Sequence, residues 1–123
     1  MLFDTTQIAL HGAISGAAKR HEALAANLAN ANTPGYQRVD VDFHGTLAAA
    51  MSRGTGARAA LENVGFSTER DTSVGAVQAD GSTIDSDSEA AKLSQNALEQ
   101  QIAVQVAQTR VHILESAMGV GGR

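Results

Sequence analysis

The stretch Asn27-Leu28-Ala29-Asn30-Ala31-Asn32-Thr33-Pro34-Gly35-Tyr36 decides how this chain is read, because it ends one periodic pattern and precedes another. Upstream, an apolar stripe at heptad spacing runs from Phe3 to Ala31. Downstream, Val39-Asp40-Val41-Asp42-Phe43 alternates apolar and polar, the period of a strand. The chain's only proline, Pro34, stands between them and is followed at once by Gly35. Asparagine tolerates left-handed φ at a helix end, and proline cannot continue a helix. Pro-Gly suits the central positions of a type II turn, and Pro34 also pushes Thr33 out of the helical region. The stretch therefore predicts a rigid corner that fixes how the chain leaves its first helix.

On the N-terminal side, Phe3, Gln7, Leu10, Ile14, Ala17, His21, Leu24, Leu28 and Ala31 follow one another at alternating steps of four and three. That is one coiled-coil seam, and it predicts a helix over about 3–31. Gly12 and Gly16 weaken it by roughly 1 kcal/mol each relative to alanine. They share a face on which a neighbouring backbone can approach. Beyond the corner, residues 32–43 read as turn and strand. Residues 44–84 lose all periodicity, with Gly45, Gly54, Gly56, Gly65, Gly75 and Gly81 spaced among serines and threonines. A helical piece around Leu47–Met51 and a pairing of Gly65-Phe66-Ser67-Thr68 with Val39–Phe43 are the candidates for order there. The rest reads as loop that is mobile in the free chain.

A second helix is expected over about 87–118. Ser86 with Glu89 reads as a capping box, and Asp85 and Asp87 add negative charge at the positive helix end. Its seam runs Ala90, Leu93, Ala97, Gln100, Val104, Ala107, Val111, Leu114, Met118, and Gly119-Val120-Gly121-Gly122 ends it. The expected fold is mainly α. The two helices pair as an antiparallel coiled-coil-like hairpin, Leu10, Ile14, Leu24 and Leu28 meeting Leu93, Val104, Val111, Leu114 and Met118. The middle segment is expected to be glycine-rich, irregular and at most short β. Leu98, Ile102, Val106 and Ile113 form another stripe on the second helix, which one intramolecular partner cannot also cover. A hairpin this thin is expected to complete its core with other copies or partners.

Composition sets the outer bounds. At 123 residues the chain is a single small domain, and an aromatic content of 3% without tryptophan leaves alanine and aliphatic residues to do the packing. A formal net charge of −4 argues against nucleic acid, whose binders carry a basic face. The absence of cysteine removes disulfides, thiol catalysis and thiolate zinc sites. No apolar run is long enough to span a membrane. Met1-Leu2-Phe3-Asp4 opens without the basic flank of a cleavable secretory signal.

Catalytic and metal readings gain no pattern. His11, His21, His44 and His112 show neither HExxH nor an i, i+4 pair. Asp85-Ser86-Asp87-Ser88-Glu89 opens like a calcium loop, but Ala90 and Asn96 stand where that loop needs glycine and glutamate. No GxSxG elbow and no phosphate-cradling glycine motif occurs. No enzyme, cofactor or metal is expected.

Asn27, Asn30, Asn32, Thr33, Pro34, Gly35 and Tyr36, with Ala25, Ala26, Leu28, Ala29 and Ala31 around them, resemble the N-terminal signature of the bacterial flagellar rod, hook and hook-associated axial proteins. Gln37-Arg38-Val39-Asp40-Val41-Asp42-Phe43 resembles the continuation in that family's proximal-rod member. Asp80-Gly81-Ser82-Thr83-Ile84-Asp85, followed by Asn96-Ala97-Leu98-Glu99, resembles its distal motif. The resemblance implies an inner-tube domain of paired terminal helices and passage through the flagellar type III export apparatus without signal cleavage. It further implies polymerisation in the periplasm as part of the rod that transmits torque from motor to hook. Its implied partners are other copies, rod proteins such as FlgC, and the rod adaptor FliE, the Leu98–Ile113 stripe lying against neighbouring subunits. The nearer alternative is another rod component of the same family; from a different class, it is a helical-hairpin export chaperone or adaptor that stays in the cytosol.

Overall fold

The computed structural model describes residues 4–72 and 84–119. Phe3, Gly75, residues 80–83 of the distal motif and Val120-Gly121-Gly122 lie outside the described residues. Helix α1 (Thr5–Ala29) leads through the corner to a two-residue strand β1 (Val39–Asp40). Helix α2 (Phe43–Met51), a single 3₁₀ turn (Gly54–Gly56), helix α3 (Ala57–Glu62) and strand β2 (Glu69–Arg70) follow. Helix α4 (Ser86–Ala117) closes the order.

α1 and α4 run antiparallel along most of their length. Three cross-links at descending levels show this: Asn27 reaches Glu89, Asn96 reaches the Ala17 carbonyl, and Arg110 reaches Asp4. Local caps fix the ends. The Gln7 N–H donates to the Asp4 carboxylate at 2.9 Å, and this bond, opposed by some desolvation and aided by Arg110, holds the Asp4 carboxyl below the usual range. The start of α4 is capped by Asp85, which accepts the Asp87 N–H at 3.1 Å. The expected Ser86–Glu89 capping box does not form, because Glu89 turns into the interior and bonds Arg38 instead. At the far end, Gly119 takes φ +74°, the left-handed stop expected of a glycine there.

The middle segment holds more helix than its sequence pattern suggested. Asp42 accepts the Gly45 N–H at 3.0 Å and starts α2, so Phe43 opens a helix instead of ending a strand. The alternation of Val39–Phe43 is spent differently from a long strand: Val41 and Phe43 enter the core, while Asp40 and Asp42 make ion pairs and a cap. β1 pairs antiparallel with β2, Val39 opposite Arg70 and Asp40 opposite Glu69, beyond the Gly65–Thr68 segment expected to do so.

α2 and α3 cover the face of α1 that α4 leaves open. The main apolar cluster gathers Ala17, Ala23, Val41, Phe43, Leu47, Ala50 and Leu61, with Ile8, Val64 and Phe66 packed against it. Gly12 and Gly16 are the reason α2 can lie so close. A Cβ on Gly16 would stand 2.5 Å from Phe43 Cβ, and one on Gly12 would stand 2.8 Å from Leu47 Cδ2. The glycine face thus receives the side chains of α2. The hairpin is thereby thickened into three layers, with α1 in the middle.

Candidate assembly site: the braced corner and the outer face of α4

The corner is built where the last turn of α1 meets β1. Asn30 caps α1 with its side chain, Nδ2 donating to the Ala26 carbonyl at 2.8 Å, while the Thr33 hydroxyl donates to Asn30 Oδ1 at 3.2 Å. Its φ is −106°, so the left-handed asparagine expected there is replaced by a side-chain cap. Thr33-Pro34-Gly35-Tyr36 then forms the type II turn: the Tyr36 N–H donates to the Thr33 carbonyl at 3.2 Å, and Gly35 has φ +76°. Asn32, Thr33, Pro34 and Gly35 are exposed, and Tyr36 is half-buried.

Behind this exposed turn stands a buried polar cluster. Asn27, fully buried, uses both ends of its amide on one residue, Nδ2 donating to the Val39 carbonyl at 2.6 Å and Oδ1 accepting the Val39 N–H at 3.0 Å. It occupies the place of a pairing strand, and its Nδ2 also reaches Glu89 at 3.2 Å. Arg38 is buried as well. Its guanidinium donates to Glu89, to Asp71 Oδ2 at 2.6 Å and to Asp40 Oδ2 at 2.9 Å. Arg20 on α1 donates to the other oxygen of Asp40 at 2.9 Å, and Lys92 Nζ lies 3.8 Å from Glu89.

Three cations thus face three carboxylates, and the charges balance. Burial works against the charge on Arg38, but its bonds to Glu89 and Asp40 outweigh that and hold it more firmly protonated. Burial likewise opposes ionisation of Asp40, and the bonds from Arg20 and Arg38 outweigh it, keeping its carboxyl below the usual range. The cluster ties four separate parts of the chain together: the end of α1, β1, the residue after β2, and the first turn of α4. Arg38 and Asp71 were not singled out from sequence. Glu89 gave a misleading signal, since its spacing from Ser86 satisfied a capping box.

The expected helix seam is placed unevenly. Leu24 is fully buried, and Leu10, Ile14, Leu93, Val104 and Leu114 are half-buried. Leu28 and Val111, each 37% exposed, and Met118, at 57%, lie at the surface of the single chain. α4 turns Glu89 and Asn96 inward and leaves Ala90 and Ala97 outside. The second stripe is open: exposure along it runs from 43% at Val106 to 61% at Ile113, with Leu98 and Ile102 between. Ile102 and Val106 also share an apolar groove of about 430 Å³ with Leu10, Phe43, Leu47 and Met51. The stripe therefore continues across the molecule onto α2. His44 Nε2 stands 3.0 Å from Glu99 Oε2 at the same groove. Among the described residues no three histidine, aspartate or glutamate side chains converge as a metal site.

Comparison with known proteins joins these features to one family. A model of the flagella basal body rod protein family matches residues 9–37, all of α1 after its first turn and the whole corner included. The Escherichia coli flagellar basal body rod protein FlgB is 34% identical over 101 residues, covering 71% of this chain and 73% of that one. The Salmonella typhimurium protein of the same name is 36% identical over 103 residues, covering 72% and 75%. That of Proteus mirabilis is 30% identical over 117 residues, covering 84% and 85%. Similarity at that level over most of both chains, with the family model falling on the helix and corner described above, means that the chain belongs to the FlgB family of flagellar basal body rod proteins.

Proposed function

We propose that the chain is a structural subunit of the proximal rod of the bacterial flagellar basal body, polymerising into the shaft that carries torque from motor to hook. The observation that carries the reading is the open apolar face of Leu98, Ile102, Val106 and Ile113 on a helix whose opposite side is already packed against α1. A contiguous apolar surface of this kind marks a protein–protein contact, and the relatives' name supplies the assembly. In this reading the stripe and the groove it enters are buried by neighbouring subunits. The residues Asn27, Asn30 and Asn32–Tyr36 hold the angle between α1 and the segment that follows. Other copies, FlgC and related rod proteins, and the adaptor FliE are the neighbours that the family resemblance suggests. Delivery to the periplasm through the type III export apparatus, without signal cleavage, belongs to the same reading.

The test is mass spectrometry of detergent-purified basal bodies stripped of loosely held protein. A few copies per particle, retained through stripping, are expected. Absence from the particle with recovery in the cytosol would overturn the rod assignment.

A further inference from the structure

α4 has no single apolar face that dictates which side it turns to α1. At about 100° per residue, the Leu98–Ile102–Val106–Ile113 stripe lies roughly 130° around the helix from the line that is buried through Glu89, Asn96 and Ala107. The buried line is the more polar of the two. Glu89 and Asn96 are both essentially inaccessible, while four aliphatic side chains stay outside. Leu93, Val104 and Leu114 are half-buried on the inner side as well, so either rotation covers a set of aliphatic side chains and hydrophobicity alone does not decide between them.

What distinguishes the observed rotation is polar pairing. Asn96 Nδ2 donates to the Ala17 carbonyl at 2.8 Å, an approach that the small Ala17 side chain permits. One heptad away on either side, the seam presents Leu10 or Leu24, whose side chains would hold the amide off the backbone. Glu89 finds Arg38 and Asn27 only from the same rotation. The arrangement carries a cost, since Asn96 Oδ1 is buried without a hydrogen-bond partner. Buried polar groups kept at such a cost are best known for fixing register and partner choice in helix pairs.

We propose that Glu89 and Asn96 are positioning residues that select the face α4 presents to α1, and thereby keep the Leu98–Ile113 stripe on the outside. That the stripe is kept for a neighbouring subunit rests on the rod reading; the selection of the face does not.

The chain contains no cysteine, so a single introduced thiol reports its own surroundings. In the purified full-length chain, Leu98→Cys on the outer stripe should react with a thiol reagent faster than Ala103→Cys, which is half-buried. Asn96→Leu is close in shape to asparagine and removes the polar pin while Glu89 remains. It should lower the ratio of the two labelling rates at least threefold with helicity retained. An unchanged ratio in folded Asn96→Leu overturns the proposal. If that variant does not fold, Asn96→Ala decides: a ratio shifted in the same direction supports face selection. A lowered melting temperature with an unchanged ratio makes Asn96 an ordinary stabilising contact and ends the proposal. Because the ratio is read on the isolated chain, its failure leaves the rod assignment intact, and loss of the chain from basal bodies would leave the ratio intact.

Discussion

Gly16→Ala sets two known effects against each other, and the structure decides between them. In an exposed helix interior the change would stabilise by roughly 1 kcal/mol, because glycine is the poorer helix former. Here the new methyl would stand 2.5 Å from Phe43 Cβ and 2.8 Å from Phe43 Cγ. Rotating χ1 could move Cγ but not Cβ, which is fixed by the backbone, and that backbone is the first turn of α2, held by the Asp42 cap. α2 must therefore move bodily off α1, by about the 1 Å that separates this contact from ordinary van der Waals distance. Overpacking of this kind costs about 1–3 kcal/mol, which matches or exceeds the propensity gain.

Gly12→Ala is the control within the same groove. Its methyl would clash with Leu47 Cδ2 alone, at 2.8 Å, the far end of a side chain with another rotamer to adopt, while Val64 Cγ1 at 3.8 Å is an ordinary contact. There the propensity gain survives. The two variants should differ by roughly 1–3 kcal/mol, Gly16→Ala being the less stable. Urea denaturation followed by helical circular dichroism measures the difference. Gly16→Ala at or above the stability of Gly12→Ala would refute the claim that α2 is seated directly on this glycine face.

Other expectations test the corner and the outer face. Asn27→Ala removes both bonds to Val39 and one to Glu89, leaving buried groups unpaired. It should cost about 2–4 kcal/mol, and a loss under 1 kcal/mol in urea denaturation would contradict the bracing role. Pro34→Ala with Gly35→Val should leave the helices able to form but reduce motility, since valine is strained at φ +76°; normal swimming would remove the corner from the mechanism. Ile102→Asp should block assembly while sparing export, so normal basal bodies from it would deny that the outer stripe is an interface. Asp40, whose carboxyl is held low in the folded state, contributes stability present above the ordinary carboxylate range and lost as pH falls through its folded value. Arg38, held more firmly protonated, contributes stability lost only at pH above the ordinary arginine value. Unfolding midpoints should therefore fall on acidification below about pH 4, and less steeply in Asp40→Asn; equal slopes would disprove the assignment to Asp40.

The hairpin and its corner were legible because each rests on a local rule. Heptad steps from Gln7 to Leu28 announce a helix, and Pro34-Gly35 announces its turn whatever else the chain does. Glu89 was read as a cap and Asn96 was left off the seam, because periodicity places only apolar residues inside. Both are buried through partners, Arg38 and the Ala17 carbonyl, that lie 51 and 79 residues away. The start of α2 was hidden for a related reason, although Leu47–Met51 within it stood as a helical candidate. Phe43 completes an alternating pattern in sequence, and only the glycine face of α1, with Asp42 available as a cap, makes a helix start there.

The corner owes its stiffness less to proline than the sequence suggests. The Thr33–Tyr36 turn is exposed and closed by a single backbone hydrogen bond of 3.2 Å. Taken alone it would bend under load, because one solvent-facing bond contributes only about 1 kcal/mol. Behind it, Asn27 grips β1 with two bonds, and Arg38 ties β1 to α4 and to the residue after β2. These groups are shielded from water, so any bend must first separate buried charges, and breaking one such pair costs about 3–5 kcal/mol. The turn therefore sets the direction of the chain and the buried cluster resists its change. It follows that Asn27→Ala should weaken the fold more than Pro34→Ala, an order opposite to the one that the prominence of Pro34-Gly35 in the sequence would suggest.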